Sequence, residues 1–130
     1  MGRLTIPRFV LAGFAAAASL AMLTVPGSAH HSTAMFTWGT ETRLDNMTVE
    51  RWVWTNPHTF IYARDAAGNR WAFEGMSPNH LSRAGWSRRS LAAGDKIDLT
   101  YYALRDGRRG GFNVQVFKAD GTHMTQLPSR

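Results

Sequence analysis

Five histidines and no cysteine decide which metal and acid–base chemistry this 130-residue chain can attempt. Two of the histidines are adjacent, His30-His31, and they follow Pro26-Gly27-Ser28-Ala29, a helix break with small residues where a signal peptidase reads. Cleavage after Ala29 makes His30 the first residue of the mature chain. Its free amine and its own imidazole then form a chelate that suits copper(II), with His31 beside it as a further nitrogen donor. The competing reading is a solvated, frayed terminus. His58 stands in Trp54-Thr55-Asn56-Pro57-His58. Pro57 offers no amide hydrogen to a sheet and pushes Asn56 into an extended conformation, so one strand stops there and another starts. An imidazole at that corner, with Trp54 and Asn56 next to it, is either a structural hydrogen bonder or one wall of a site. Glu74, on an expected neighbouring strand, either ligates a metal or fixes an imidazole tautomer from outside the ligand set. The alternative for Glu74 is an ion pair with an arginine. His80 and His123 read as solvated or capping residues. Ligating nitrogens must be deprotonated, so a site of this kind weakens as pH falls through the histidine range.

Arginines supply the second chemistry. Arg83, Arg88 and Arg89 surround the exit of a short expected helix, and Arg105, Arg108 and Arg109 crowd a glycine-rich loop. Guanidinium forks suit phosphate and carboxylate, which the bacterial envelope offers as lipid headgroups and acidic glycans. The competing reading is a solvated basic surface. Basic residues interleaved with Trp52, Trp54, Trp71 and Trp86 would also suit single-stranded nucleic acid, because indoles stack on bases. Export argues against that partner, and at barrel spacing these tryptophans read as core or plug. No Gly-x-Ser-x-Gly elbow, phosphate-cradling loop or paired-histidine metalloprotease motif is present, so no catalytic residue is assigned and a non-enzymatic role is expected.

The elements that must position these groups begin after a delivery segment. Arg3 and Arg8 precede an apolar, alanine-rich run over residues 9–25, the pattern of a general secretory signal. The arginines are not paired as a twin-arginine signal requires, and a chain without cysteine is not a lipoprotein. A periplasmic or secreted location follows, with no membrane span after cleavage. The expected division is a cleaved signal over 1–29, an amino-terminal extended segment over 30–44 and one barrel domain over 45–130. The chain carries 15 Lys+Arg against 9 Asp+Glu, and losing Arg3 and Arg8 with the signal leaves it basic. With no disulfide available, stability must come from packing alone.

Strand one is expected over 45–54, with the apolar phase slipping from Met47 and Val49 to Trp52 and Trp54 through a bulge near Arg51. Strand two runs over 58–64 and strand three over 70–75, joined by a polar hairpin loop at 65–69. Ser77-Pro78 starts a short helix with Leu81 and Ala84 inward and Gly85 as its stop. Trp86 plugs one end of the core. Strand four over 96–103 and strand five over 112–118 alternate cleanly, and Asp120-Gly121 turns into a short sixth strand over 122–127. Three strands, a helix and two or three more strands make a mainly β fold, a small five- to six-stranded OB-like Greek-key barrel with its helix between strands three and four.

The chain also resembles a family of short exported bacterial proteins of unknown function. The shared features are Ala29-His30-His31-Ser32, Trp54-Thr55-Asn56-Pro57-His58, Glu74-Gly75 followed by Ser77-Pro78-Asn79, Gly85-Trp86, Gly94-Asp95 and Arg105-Asp106-Gly107. It departs from the pattern at Arg51-Trp52-Val53, where the family is more polar. The resemblance implies an exported single barrel and carries no activity. The combined expectation is an exported, monomeric or weakly associating binding module of the bacterial envelope, taking copper(II) through His30, His31, His58 and Glu74. The alternative is an anionic envelope glycan or lipid, or a protein for which the chain is an adaptor, met by the arginine clusters.

Overall fold

The computed structural model describes residues 33–126. The expected signal, His30 and His31 lie outside the described residues, as does the last part of the sixth strand. After a turn of 3-10 helix at Thr33–Met35 come β1 (Phe36–Val53), β2 (Phe60–Arg64), β3 (Arg70–Glu74), α1 (Pro78–Arg83), β4 (Lys96–Leu104), β5 (Gly110–Lys118) and β6 (His123–Thr125). The sheet order is β3-β2-β1-β4-β5-β6, and β3 also pairs with β5 in parallel. That extra pairing closes five strands into a barrel, with α1 between β3 and β4 and β6 as an added strand. The chain is therefore mainly β, with the OB-like architecture that its pattern implies.

One strand holds both halves together. The second half of β1 pairs with β2 (Val49↔Ala63, Trp52↔Ile61) and its first half with β4 (Arg43↔Thr100, Met47↔Ile97). A strand shared by both halves of a small closed barrel is bent, and β1 has register shifts between Leu44 and Met47 and between Val49 and Arg51, with a further irregularity between Phe36 and Glu41. The second shift is the bulge expected near Arg51. The first carries Asn46 at φ 58, its amide donating to Asp98 Oδ1 at 2.9 Å. The strand begins at Phe36 rather than near Asp45, because residues 38–43 are exposed and show no apolar alternation, while Phe36 and residues 41–44 still pair with β4. Similarly, β2 begins at Phe60 rather than at His58.

Inside the barrel lie Met47, Val49, Ile61, Ala63, Phe73, Ile97, Leu99, Tyr101 and Val116, each buried. Closure depends on the start of β5. A Cβ on Gly110 would sit 2.2 Å from the Ala72 carbonyl oxygen, and one on Gly111 would sit 2.0 Å from that of Tyr102, so only glycines let β5 lie against β3 and β4 at once. The Ser77 hydroxyl accepts from the His80 amide at the helix start, Pro78 takes the first helical position, and Leu81 is fully buried. Ala84 is exposed, not inward: α1 has only six residues, Ala84 is its C-cap, and Gly85 at φ 85 turns the chain away. Trp86 then plugs the core, with its indole nitrogen donating to the Thr125 carbonyl at 2.9 Å. Among the described residues, no helix is long and apolar enough to cross a membrane.

Candidate functional site

The corner between β1 and β2 is locked from below. Asn56-Pro57 is a cis peptide, Trp54 packs on Trp52 at 5.6 Å between ring centroids, and Asn56 is exposed. Thr59 is fully buried, its amide and hydroxyl both donating to the Met76 carbonyl, and Gly75 returns a bond to the Thr59 carbonyl at 2.8 Å. The Gln126 side chain closes the arrangement, its Oε1 accepting from the Met76 amide at 2.8 Å. His80 Nε2 lies 3.1 Å from the Gln126 carbonyl, so this histidine ties the chain's last described residue to α1.

His58 stands on that base. Its Nδ1 is 3.0 Å from the Gly75 carbonyl and 3.1 Å from Glu74 Oε1. Both neighbours are acceptors, so Nδ1 carries the hydrogen, and in the neutral ring Nε2 is the nitrogen with the lone pair. The Glu74 carboxylate thus lies beside an imidazole, an arrangement in which metal-binding histidines are commonly found. Glu74 retains 12% of its side-chain exposure and His58 31%, so the ring reaches solvent while its holder is largely enclosed. Among the described residues, no group of three or more His, Cys, Asp or Glu gathers in a way that could hold a metal. His123 stacks on Phe117 at 4.4 Å.

The arginines do not converge. Arg83, Arg88 and Arg89 are exposed around the exit of α1, near the end of β5, where Lys118 Nζ donates to the Ser90 carbonyl at 3.2 Å. Arg105, Arg108 and Arg109 lie at the start of β5, where the Arg109 carbonyl accepts from Ala72. Nine residues of β5 separate the two groups, on the order of 30 Å. The loop arginines are also partly occupied: Arg105 Nε donates to the Phe36 carbonyl at 3.0 Å, and Arg108 pairs with Asp106 at 2.7 Å.

A different arginine set is assembled on the outer face of β1, β2 and β3. The shift between Val49 and Arg51 puts Arg51 opposite Tyr62, with its guanidinium 4.5 Å from the ring centroid, and Phe60 stacks beside Tyr62 at 6.1 Å. Arg64 and Arg70 face each other across β2 and β3, and both reach Glu50, Arg70 at 3.4 Å. The alternation of Phe60 and Tyr62 is legible in the sequence. The placement of Arg51 is not, since it depends on which residue the bulge skips.

Comparison with known proteins adds one result. The model of a family of unknown function, DUF6152, matches residues 16–114. The chain belongs to that family. The region shared with DUF6152 takes in the β1–β2 corner, α1 and both arginine groups. No curated protein and no solved structure matches this DUF6152 chain.

Proposed function

We propose that the chain is an exported, non-enzymatic binding module of the bacterial envelope that takes up copper(II). The terminal donors are His30 and His31 once the signal is removed, and His58 is the barrel's own nitrogen donor. The observation that supports a metal role for the barrel is the state of His58: a carboxylate and a carbonyl fix hydrogen on Nδ1, which leaves Nε2 as the basic nitrogen. Glu74 serves as the positioning carboxylate. A second reading, an anionic glycan or lipid held by Arg88 and Arg89, is supported by the exposure of both side chains at the α1 exit.

The test is a calorimetric copper(II) titration of the chain beginning at His30, beside a version with one extra residue before it. The expected outcome is one-to-one binding that is lost in the extended version and weakens as pH falls, because the ligating nitrogens must be deprotonated. Equal binding by both versions contradicts a terminal chelate.

A further inference from the structure

We infer that the outer face of β1, β2 and β3 is a second binding site, one for an acidic polysaccharide whose sugars carry carboxylate groups. Arg51, Arg64 and Arg70 surround a single carboxylate, Glu50, so the patch keeps a surplus of positive charge after its internal pairing. Placing Arg64 directly opposite Arg70 sets like charges across a strand pair, which folding alone does not favour. Local rules broken in this way mark functional positions. Two of the guanidiniums, those of Arg51 and Arg64, are also held in place. Tyr62 lies under Arg51, Phe60 braces Tyr62, and Arg64 Nη1 donates to the Gly68 carbonyl at 2.8 Å. Ordering these side chains in advance lowers the entropy that a ligand would otherwise have to overcome.

Glu50, Arg51, Tyr62 and Arg70 line an open depression of about 350 Å³. Its chemistry is mixed. Guanidinium forks receive carboxylate in pairs of hydrogen bonds, while Glu50, as an acceptor, receives hydroxyl groups. A ligand offering both carboxylates and hydroxyl donors meets both needs, and a sugar acid is such a ligand. The phosphodiester group itself offers acceptors alone and leaves Glu50 without a donor, whereas a sugar acid carries carboxylate and hydroxyl on the same ring. Stacking of bases is disfavoured too, because the Tyr62 ring already has Arg51 over it and Phe60 beside it. The face spans strands two and three of the barrel, the side on which this architecture takes extended oligomers.

The test is a binding titration of the purified protein, without metal, against polygalacturonate and alginate as acidic probes. Neutral dextran, phosphatidylglycerol vesicles and single-stranded oligothymidylate are run in parallel. The expected result is binding to the two acidic glycans that weakens as salt rises, with no comparable binding to the other three. Arg51→Ala and Arg70→Ala should each weaken it about tenfold, and Arg43→Ala, at a residue paired with Asp45 and Asp98 on the β4 side of β1, should leave it unchanged. Arg51→Lys keeps the charge and loses the fork, so it should also weaken binding, with the thermal midpoint unchanged as a check on folding. Glu50→Gln makes the protein more basic yet should not tighten glycan binding. The inference is overturned if neither glycan binds, if vesicles or DNA bind as well as the glycans do, if Arg43→Ala costs as much as Arg51→Ala, or if Glu50→Gln tightens binding as simple charge attraction requires.

Discussion

Gly75 shows how little room the candidate site leaves at the level of single atoms. A Cβ there would lie 2.5 Å from Thr59 Oγ1 and 2.6 Å from Gln126 Oε1, the groups that hold the floor beneath His58. Gly75→Ala should therefore cost about 1–3 kcal/mol through overpacking, read as a lower urea midpoint with an unchanged slope. An unchanged midpoint would mean that the floor yields at no cost. The same scale carries a test of Glu74. If it orients His58 for metal, Glu74→Gln should weaken copper(II) binding by roughly 10–100-fold. In a chain already carrying His58→Ala, the Glu74 change should have almost no further effect. Additive losses would show that Glu74 acts independently of the ring.

At the scale of elements, β1 and the β2–β3 hairpin loop carry the sharpest expectations. Asn46 holds a left-handed backbone where β1 bends towards β4, a conformation that a β-branched residue resists. Asn46→Val should destabilise the barrel by about 1–2 kcal/mol and Asn46→Gly by far less, measured by thermal or urea unfolding. In the hairpin loop, Asp65 accepts from Trp71 Nε1 at 3.0 Å and from the Asn69 amide at 2.9 Å. The Trp71 bond and then the Asn69 bond hold its carboxyl at about 2, below its ordinary 3.8. A depressed carboxyl stabilises the folded chain fully above its unfolded value, and that contribution is lost as pH falls from about 4 towards 2. Asp106, bound by the Arg108 amide and side chain, and Asp120, bound by Thr122, shift in the same direction. Urea midpoints should thus fall steeply between pH 4 and 2, and Asp65→Asn should flatten that limb. An identical acid limb in the variant would remove Asp65 from the account.

For the molecule as a whole, the parts of the fold legible in the sequence were those set by neighbours in the chain. Pro57 stops β1's extension, Ser77-Pro78 starts α1, Gly85 ends it, and the alternation of Ile97, Leu99 and Tyr101 marks β4. The illegible parts depended on distant partners. Residues 38–43 read as part of an extended segment ahead of the barrel because their exposed side chains carry no apolar pattern, yet they belong to the longest strand, with residues 41–43 paired to β4. The separation of the two arginine groups follows from where β5 begins and ends, and the gathering of Arg51, Arg64 and Arg70 around Glu50 follows from one bulge and one hairpin register. The pairing of His58 with Glu74 was readable as one of several options, because Glu74 falls on a strand expected beside the one that follows His58. The tautomer was not readable, since it requires the position of the Gly75 carbonyl.

The measurement that tests this account most directly is electron paramagnetic resonance of the chain beginning at His30, loaded with one equivalent of copper(II), compared with its His58→Ala variant. The account predicts nitrogen-rich equatorial coordination in the parent and the loss of one imidazole nitrogen in the variant. A spectrum of hydrated copper, or one that His58→Ala leaves unchanged, would contradict it.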